Sequence, residues 1–252
     1  MDMVSQLIAT PSISCMQPNL DMSNEPVIDL LANWLEGSGF EVQKQFVNPG
    51  KFNLIAQKGK GSEGLTLSGH TDTVPCNESL WKSDPFSLTE RDQKFYGLGS
   101  CDMKSFIAMA ITASQSFNDD QYLRPLTIIA TSDEETTMAG ARMLSESGQP
   151  LSKYCVIGEP TDLKPIREHK GILMESIRFI GSSGHSSNPK LGNSALEGML
   201  DYMQRLLVYR QQLQDSHQNP AFDVSTPTMN LGHIHGGDNP NRICGDCELH
   251  ID

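Results

Sequence analysis

Hydrophobic and polar positions change period repeatedly along the chain, and each change predicts a new element. Ser23 and Asn24 precede Pro26, which marks a capped helix start with proline in the first turn. Val27, Leu31, Trp34 and Leu35 then recur on one helical face as far as Gly37. From Phe40 and Val42 the pattern alternates, and residues 52–57 continue it, so two strands follow. Leu65 to Gly69 and Leu126 to Thr131 are β-rich apolar runs, and Tyr154 to Ile157 is a third, shorter one. A short hairpin is expected between Pro85 and Tyr96. Phe106, Ala110, Ala113 and Phe117, spaced by four, three and four, predict an amphipathic helix. Residues 139–147 predict another, stopped by Gly148. Strands alternating with helices specify an α/β fold with a mostly parallel sheet covered by helices on both faces.

From Gly171 the character changes. A strand over residues 172–180 leads to a long helix over 193–212, with Leu196, Met199, Met203 and Leu206 facing inward. Strands over 228–233 and 242–251 flank the turn Gly236-Gly-Asp-Asn239. This β-α-β-β order predicts a smaller second domain, so the expected division is residues 1–170 and 171–252. His233 and His235 lie two apart on one strand face, a candidate metal pair, but without an acidic residue close by in sequence they are read as packing residues.

The 252 residues suffice to bury a core without disulfide or metal staples. The charge, 19 basic against 31 acidic residues, is −12 and includes no basic patch, which argues against nucleic acid and anionic membrane surfaces as partners. No apolar run approaches the ~20 residues of a membrane span. Met1-Asp2-Met3-Val4 lacks the basic start of a signal peptide, and the six cysteines are mostly scattered, as reduced thiols in a cytoplasmic protein would be. Cys244-Gly-Asp-Cys247 is a single pair, read as ordinary strand cysteines. Gly59-Lys-Gly-Ser-Glu-Gly64 matches a dinucleotide pattern in letters, yet joins two strands and is read as a turn.

In sheets of this kind ligands lie beyond the carboxyl ends of the strands. Here one strand end delivers His70 and Asp72, which share a side of an extended backbone. A second ends at Asp133-Glu134-Glu135 and a third at Gly158-Glu159-Pro160. Asp102 joins them from a glycine-rich loop at a helix start. Singly, each acid has an ordinary role as a cap or turn former. Together at one rim they would repel one another, and cations are their natural partners.

Ser68-Gly-His-Thr-Asp-Thr-Val-Pro75, Gly99-Ser-Cys-Asp-Met-Lys104, Asp133-Glu-Glu135, Gly158-Glu-Pro160 and Gly184-His-Ser186 give the chain its resemblance to a known family. It resembles the dinuclear zinc amidohydrolases and metallopeptidases, which include succinyl-diaminopimelate desuccinylase and aminoacylase. Four further stretches are most similar to the branch that hydrolyses the acetamide of N2-acetyl-L-ornithine in arginine biosynthesis. They are residues 9–14, 84–90, Arg167-Glu-His-Lys-Gly171 and Asn230 to Asp238. The resemblance implies a zinc-peptidase-like fold with a lid and dimerisation domain, and a cofactor of two Zn2+, with Co2+ as a substitute. It also implies a homodimer acting on a small N-acetylated amino acid.

By resemblance, His70 and Glu159 bind one zinc, Glu135 the other, and Asp102 bridges them. Asp72 orients His70, Glu134 is the general base, and His185 is an oxyanion donor, often supplied by the partner subunit. Lys170 and Asn241 become candidates for substrate selection and contact. Cys101 and Ser105 stand where the family usually has alanine and glycine. Relatives continue past the position of Asp252 and carry a late histidine ligand with no counterpart here. Both domains are therefore expected to be truncated at the C-terminus, and the chain is expected to be a fragment or to lack one ligand. A desuccinylase or peptidase of the same family is the near alternative; a metal-poor, non-catalytic dimerising domain is the distant one.

Overall fold

A computed structural model describes residues 2–148 and 152–252. The chain divides into two compact units, Met1–Lys164 and Pro165–Asp252. The first contains helices α1 (Asp2–Ile8), α2 (Glu25–Gly37), α3 (Lys104–Ser114) and α4 (Ala139–Ser147). Its strands are β1 (Glu41–Asn48), β2 (Lys51–Lys58), β3 (Leu65–His70), β4 (Thr89–Arg91), β5 (Lys94–Tyr96), β6 (Leu126–Thr131) and β7 (Tyr154–Ile157). The second contains β8 (Glu175–Ile180), α5 (Ala195–Ser216), β9 (Leu231–Gly236) and β10 (Asp246–Ile251).

The main sheet has the order β1-β2-β6-β3-β7, and β4 and β5 form a separate hairpin. The α/β class and the helices on both faces hold, but the sheet is mixed. β3 pairs in parallel with β6 and β7, whereas β1, β2 and β6 pair antiparallel. Alternation along β2 and β6 divides the core. Leu54, Ala56, Ile128 and Ala130 pack under α1, α2 and α3, while Ile55 and Ile129 meet Leu144 of α4 on the other face. β6 is buried almost throughout, as its continuous apolar run requires.

Two local details differ from the sequence pattern. Asn24 precedes α2 without capping it: its side-chain amide donates to the Phe52 carbonyl and to Thr71 Oγ1, tying the helix start to the sheet. On α3 the buried face is Lys104, Ile107, Ala108, Ala110, Ile111 and Ser114, while Ala113 and Phe117 are exposed. The face is turned because the Lys104 ammonium is drawn inside, where it donates to the Leu7 and Thr10 carbonyls at 3.0 and 2.8 Å.

In the second unit the sheet order is β8-β10-β9, all antiparallel. Helix α5 covers one face with Ala195, Met199 and Leu206 against Cys247 and Leu249. Leu196, expected inside, is exposed. Cys247 of β10 and Cys244, which precedes that strand, are both buried free thiols. His233 and His235 are exposed, and the packing role expected of them is not observed.

Candidate metal centre

The parallel half of the main sheet positions the site. Because β6, β3 and β7 are neighbours running the same way, Thr131, His70 and Ile157 end side by side at one rim. Glu134 and Glu135 follow the first of these ends and Glu159 the last. Gly158 lets the chain pass the Phe106 ring, which a Cβ at this position would overlap. The loop before α3 brings in Asp102.

His70 is 1 % exposed and stands at the centre. Its Nε2 lies 3.0 Å from Asp102 Oδ1, 3.9 Å from Glu134 Oε2 and 3.9 Å from Glu159 Oε1. Ligand-capable atoms of His70, Asp102 and Glu159 all fall within 4.8 Å of one another, as do those of His70, Glu134 and Glu135. Among the described residues these are the groups of three or more whose ligand-capable atoms already lie that close together. All five residues expected to serve as ligands or base are thus brought together.

Asp72 plays a different part from the expected one. His70 Nδ1 donates to the Asp72 backbone carbonyl at 2.9 Å, while the carboxylate stands off at 3.7 Å. Its other carboxylate oxygen accepts the Glu135 backbone N–H at 3.0 Å, so the side chain fixes the neighbouring strand end. The Nδ1 bond selects the tautomer in which Nε2 presents a lone pair toward the acids.

The electrostatics report an unbalanced cluster of acids. Burial pushes the Glu135 carboxyl up to about 7, helped by the negative charges of Asp102 and Glu134. Glu134 and Glu159 are raised by burial and by the charges of Asp102 and Asp72, with His70 opposing. Burial alone would lower the His70 pKa, but Asp72, Glu134, Glu159 and Asp102 together raise it. Asp72 Oδ1 is buried without a hydrogen-bond partner. An imidazole surrounded by carboxylates that resist ionisation is the donor set that a divalent cation satisfies.

Sequence reasoning missed the supports of this rim. Lys51, 4 % exposed, bonds Asp21 at 2.7 Å and Asp133 at 2.9 Å, and Ser14 Oγ donates to Asp133 at 3.1 Å. Asp133 has a φ of +54°, and this left-handed residue turns the chain into Glu134. No local pattern flags Lys51, because a lysine at a strand start ordinarily lies in water.

The remaining site candidates belong to the second unit. The backbones around His185 and Asn241 pair there: Ser186 N–H donates to the Asn241 carbonyl at 2.9 Å, and His185 forms an antiparallel β-bridge with Arg242. Ser187 N–H donates to His185 Nδ1, which leaves Nε2 as the protonated, donating nitrogen of the neutral ring. Lys170 Nζ donates to the Val224 and Thr226 carbonyls, both at 3.0 Å.

The model of Peptidase family M20/M25/M40 matches residues 66–234. Acetylornithine deacetylase of Photorhabdus laumondii is 52 % identical over 253 residues, covering 100 % of this chain and 66 % of that protein. Acetylornithine deacetylase of Pectobacterium carotovorum is 53 % identical over 249 residues, covering 98 % and 65 %. The chain therefore spans about two thirds of the length of these curated relatives. Human carnosine dipeptidase 1 shares the fold at 16 % identity and a TM-score of 0.66, over 99 % of this chain and 68 % of that structure.

Proposed function

The chain belongs to peptidase family M20/M25/M40, a metal-dependent family, and from that membership we propose that it is part of an enzyme that hydrolyses N2-acetyl-L-ornithine to L-ornithine and acetate. The observation that carries the metal-dependent reading is the convergence on His70 Nε2 of Glu134 and Glu159, which follow neighbouring strand ends, and of Asp102 from the loop before α3. The acetyl-ornithine assignment draws on the relatives at 52–53 % identity named acetylornithine deacetylase.

His70 and Glu159 are assigned to one Zn2+, Glu135 to a second, and Asp102 to both, with Co2+ able to replace zinc. When bound, the ions supply Lewis acidity and lower the pKa of water from ~15.7 toward ~7. Glu134 acts as the base: its half-buried carboxylate, raised by its surroundings, takes a proton from the attacking water and returns it to the leaving amine nitrogen. Asp72 holds His70 through its carbonyl and Glu135 through its carboxylate. His185 donates from Nε2 to the oxygen that gains charge as the amide carbon becomes tetrahedral, reaching it from the second copy in a homodimer. Asn241 contacts substrate, and Lys170 shapes the recognition surface through the 224–226 segment it binds. The unit up to Lys164 is the catalytic part, the second unit the lid and dimerisation part, and the cytoplasm the place of action.

The test is a parallel assay of zinc- or cobalt-loaded protein on N2-acetylornithine and N-succinyl-diaminopimelate, with Glu134→Ala beside the wild type. The expected result is acetate release, retained metal in the variant and turnover lowered at least ~100-fold, the scale of general-base effects. Undiminished turnover in the variant rejects Glu134 as base. Preference for the succinyl substrate rejects the acetyl assignment, and failure to take up metal rejects the site.

A further inference from the structure

Away from the acidic rim, the open face of the second unit's sheet gathers another set of donors. His233 and His235 project from one side of β9, and the β9–β10 register sets His250 opposite His233 and Glu248 opposite His235. The three imidazole centres are 5.2, 5.4 and 6.3 Å apart. Helix α5 covers the other side of this sheet, so the three rings stand exposed. His250 Nε2 lies 2.8 Å from Glu248 Oε1, which also accepts from Ser176 Oγ at 2.6 Å. The nearby cation, Arg178, is engaged by Asp246 at 2.9 and 3.1 Å and does not compete for the face.

We propose that His233, His235 and His250 form a surface site for a transition-metal ion of the Zn2+, Ni2+ or Cu2+ class, with Glu248 orienting His250 or supplying a fourth donor. The geometry favours it in two ways. Imidazoles bound tetrahedrally at ~2.0–2.1 Å from an ion place their ring centres on the order of 5 Å apart, close to the separations observed. The backbone already fixes which side chains are neighbours, and exposed rings close the remaining ångström by rotation within their rotamer wells. The donor type is selective. Three imidazoles suit borderline and nitrogen-preferring metals and offer little to Mg2+ or Ca2+, which the carboxylate-rich rim around His70 would accept. The proposal stands apart from the amidohydrolase reading, since it uses none of the same residues.

Cu2+ is the probe, because the nitrogen splitting of its EPR spectrum counts imidazole donors. The acidic rim contains one histidine, so only the His233–His235–His250 face yields a multi-nitrogen signal. The full chain at pH 7.5 is expected to bind one equivalent of Cu2+ with that signal. The double variant His235→Asn/His250→Asn should bind at least ~100-fold more weakly at this face, with unchanged circular dichroism, since exposed substitutions rarely disturb folding. His70→Gln should keep the signal. The proposal is overturned if the signal persists in the double variant, if it disappears in His70→Gln, or if the wild type shows no more than one nitrogen donor.

Discussion

Replacing Lys51 by methionine tests whether the acidic rim is held from beneath. The substitution keeps most of the buried stem and removes only the ammonium, which bonds Asp21 and Asp133 at 2.7 and 2.9 Å. The Asp133 side chain is 8 % exposed and would be left with the Ser14 hydroxyl as its remaining polar support. Breaking a buried pair by deleting one partner costs about 3–5 kcal/mol, because the surviving charge is stranded. For a unit of this size that corresponds to a melting temperature lower by roughly 6–20 °C, at ~2–4 °C per kcal/mol. Asp133→Asn in the same background removes the stranded charge and should restore part of the loss. The sign of the pH dependence is fixed too. Burial by itself would lower the Lys51 pKa, but Asp21 and Asp133 together raise it above 10.5. The stabilisation is therefore complete below about 10.5 and disappears as pH rises through the higher folded value, where wild type and variant should converge. Because Asp133 directly precedes Glu134, Zn2+ affinity should also fall ~10–100-fold, the scale for partners that orient ligands. Chemical denaturation and zinc titration measure both effects. A loss below about 1 kcal/mol, the worth of an exposed pair, would refute the reasoning. So would a double variant less stable than Lys51→Met alone.

Stripping metal with a chelator should leave a protein whose stability falls as pH rises from about 4.5 toward about 7, since burial and its acidic neighbours raise Glu135 to about 7 and the folded form then holds the extra proton. Differential scanning fluorimetry should show added Zn2+ raising the melting temperature more at pH 7.5 than at pH 5. The metal-free slope should flatten in Glu135→Gln; a slope equal to the wild type's would count against the assignment. Gly158→Ala drives a Cβ into the Phe106 ring and should displace Glu159, weakening Zn2+ binding by ~10–100-fold, with recovery in Gly158→Ala/Phe106→Ala. Wild-type affinity in the single variant, or no recovery in the double, would show that this contact does not place Glu159.

What could be read in the sequence, and what could not, separates along a physical line. The strand ends bearing His70, Glu134 and Glu159 were legible because each follows a β-rich run without interruption, and a parallel crossover pattern sends such ends to one rim. The direction in which β1 and β2 pair was not, since alternation is the same for parallel and antiparallel neighbours. The spacing of Phe106, Ala110, Ala113 and Phe117 does not give the α3 face, because Lys104 turns inward to the Leu7 and Thr10 carbonyls, which lie far away in sequence. Asp72 lies beside His70 as its spacing implies, yet its carboxylate is taken up by the Glu135 backbone N–H in the turn after β6, and the imidazole meets its carbonyl.

Side-chain periodicity thus announces which residues share a surface, whereas the choice among polar partners is made by register between segments remote in sequence. That distinction bears on both proposed metal sites. The acidic rim is built from residues at the ends of three strands and from Asp102 on the loop before α3; parallel order brings the strand-end carboxylates together, and the Lys51 support needed the structure to be found. The histidine face is built within two antiparallel strands, so the spacing of His233 and His235 supplies two donors and only the β10 register supplies His250 and Glu248. A one-residue slip of β10 would turn both to the covered side of the sheet and leave a bare pair of imidazoles. The buried Leu249 and Cys247, which alternate with Glu248 and His250 against α5, oppose that slip. The same apolar packing that stabilises the small unit thereby holds its polar face in register.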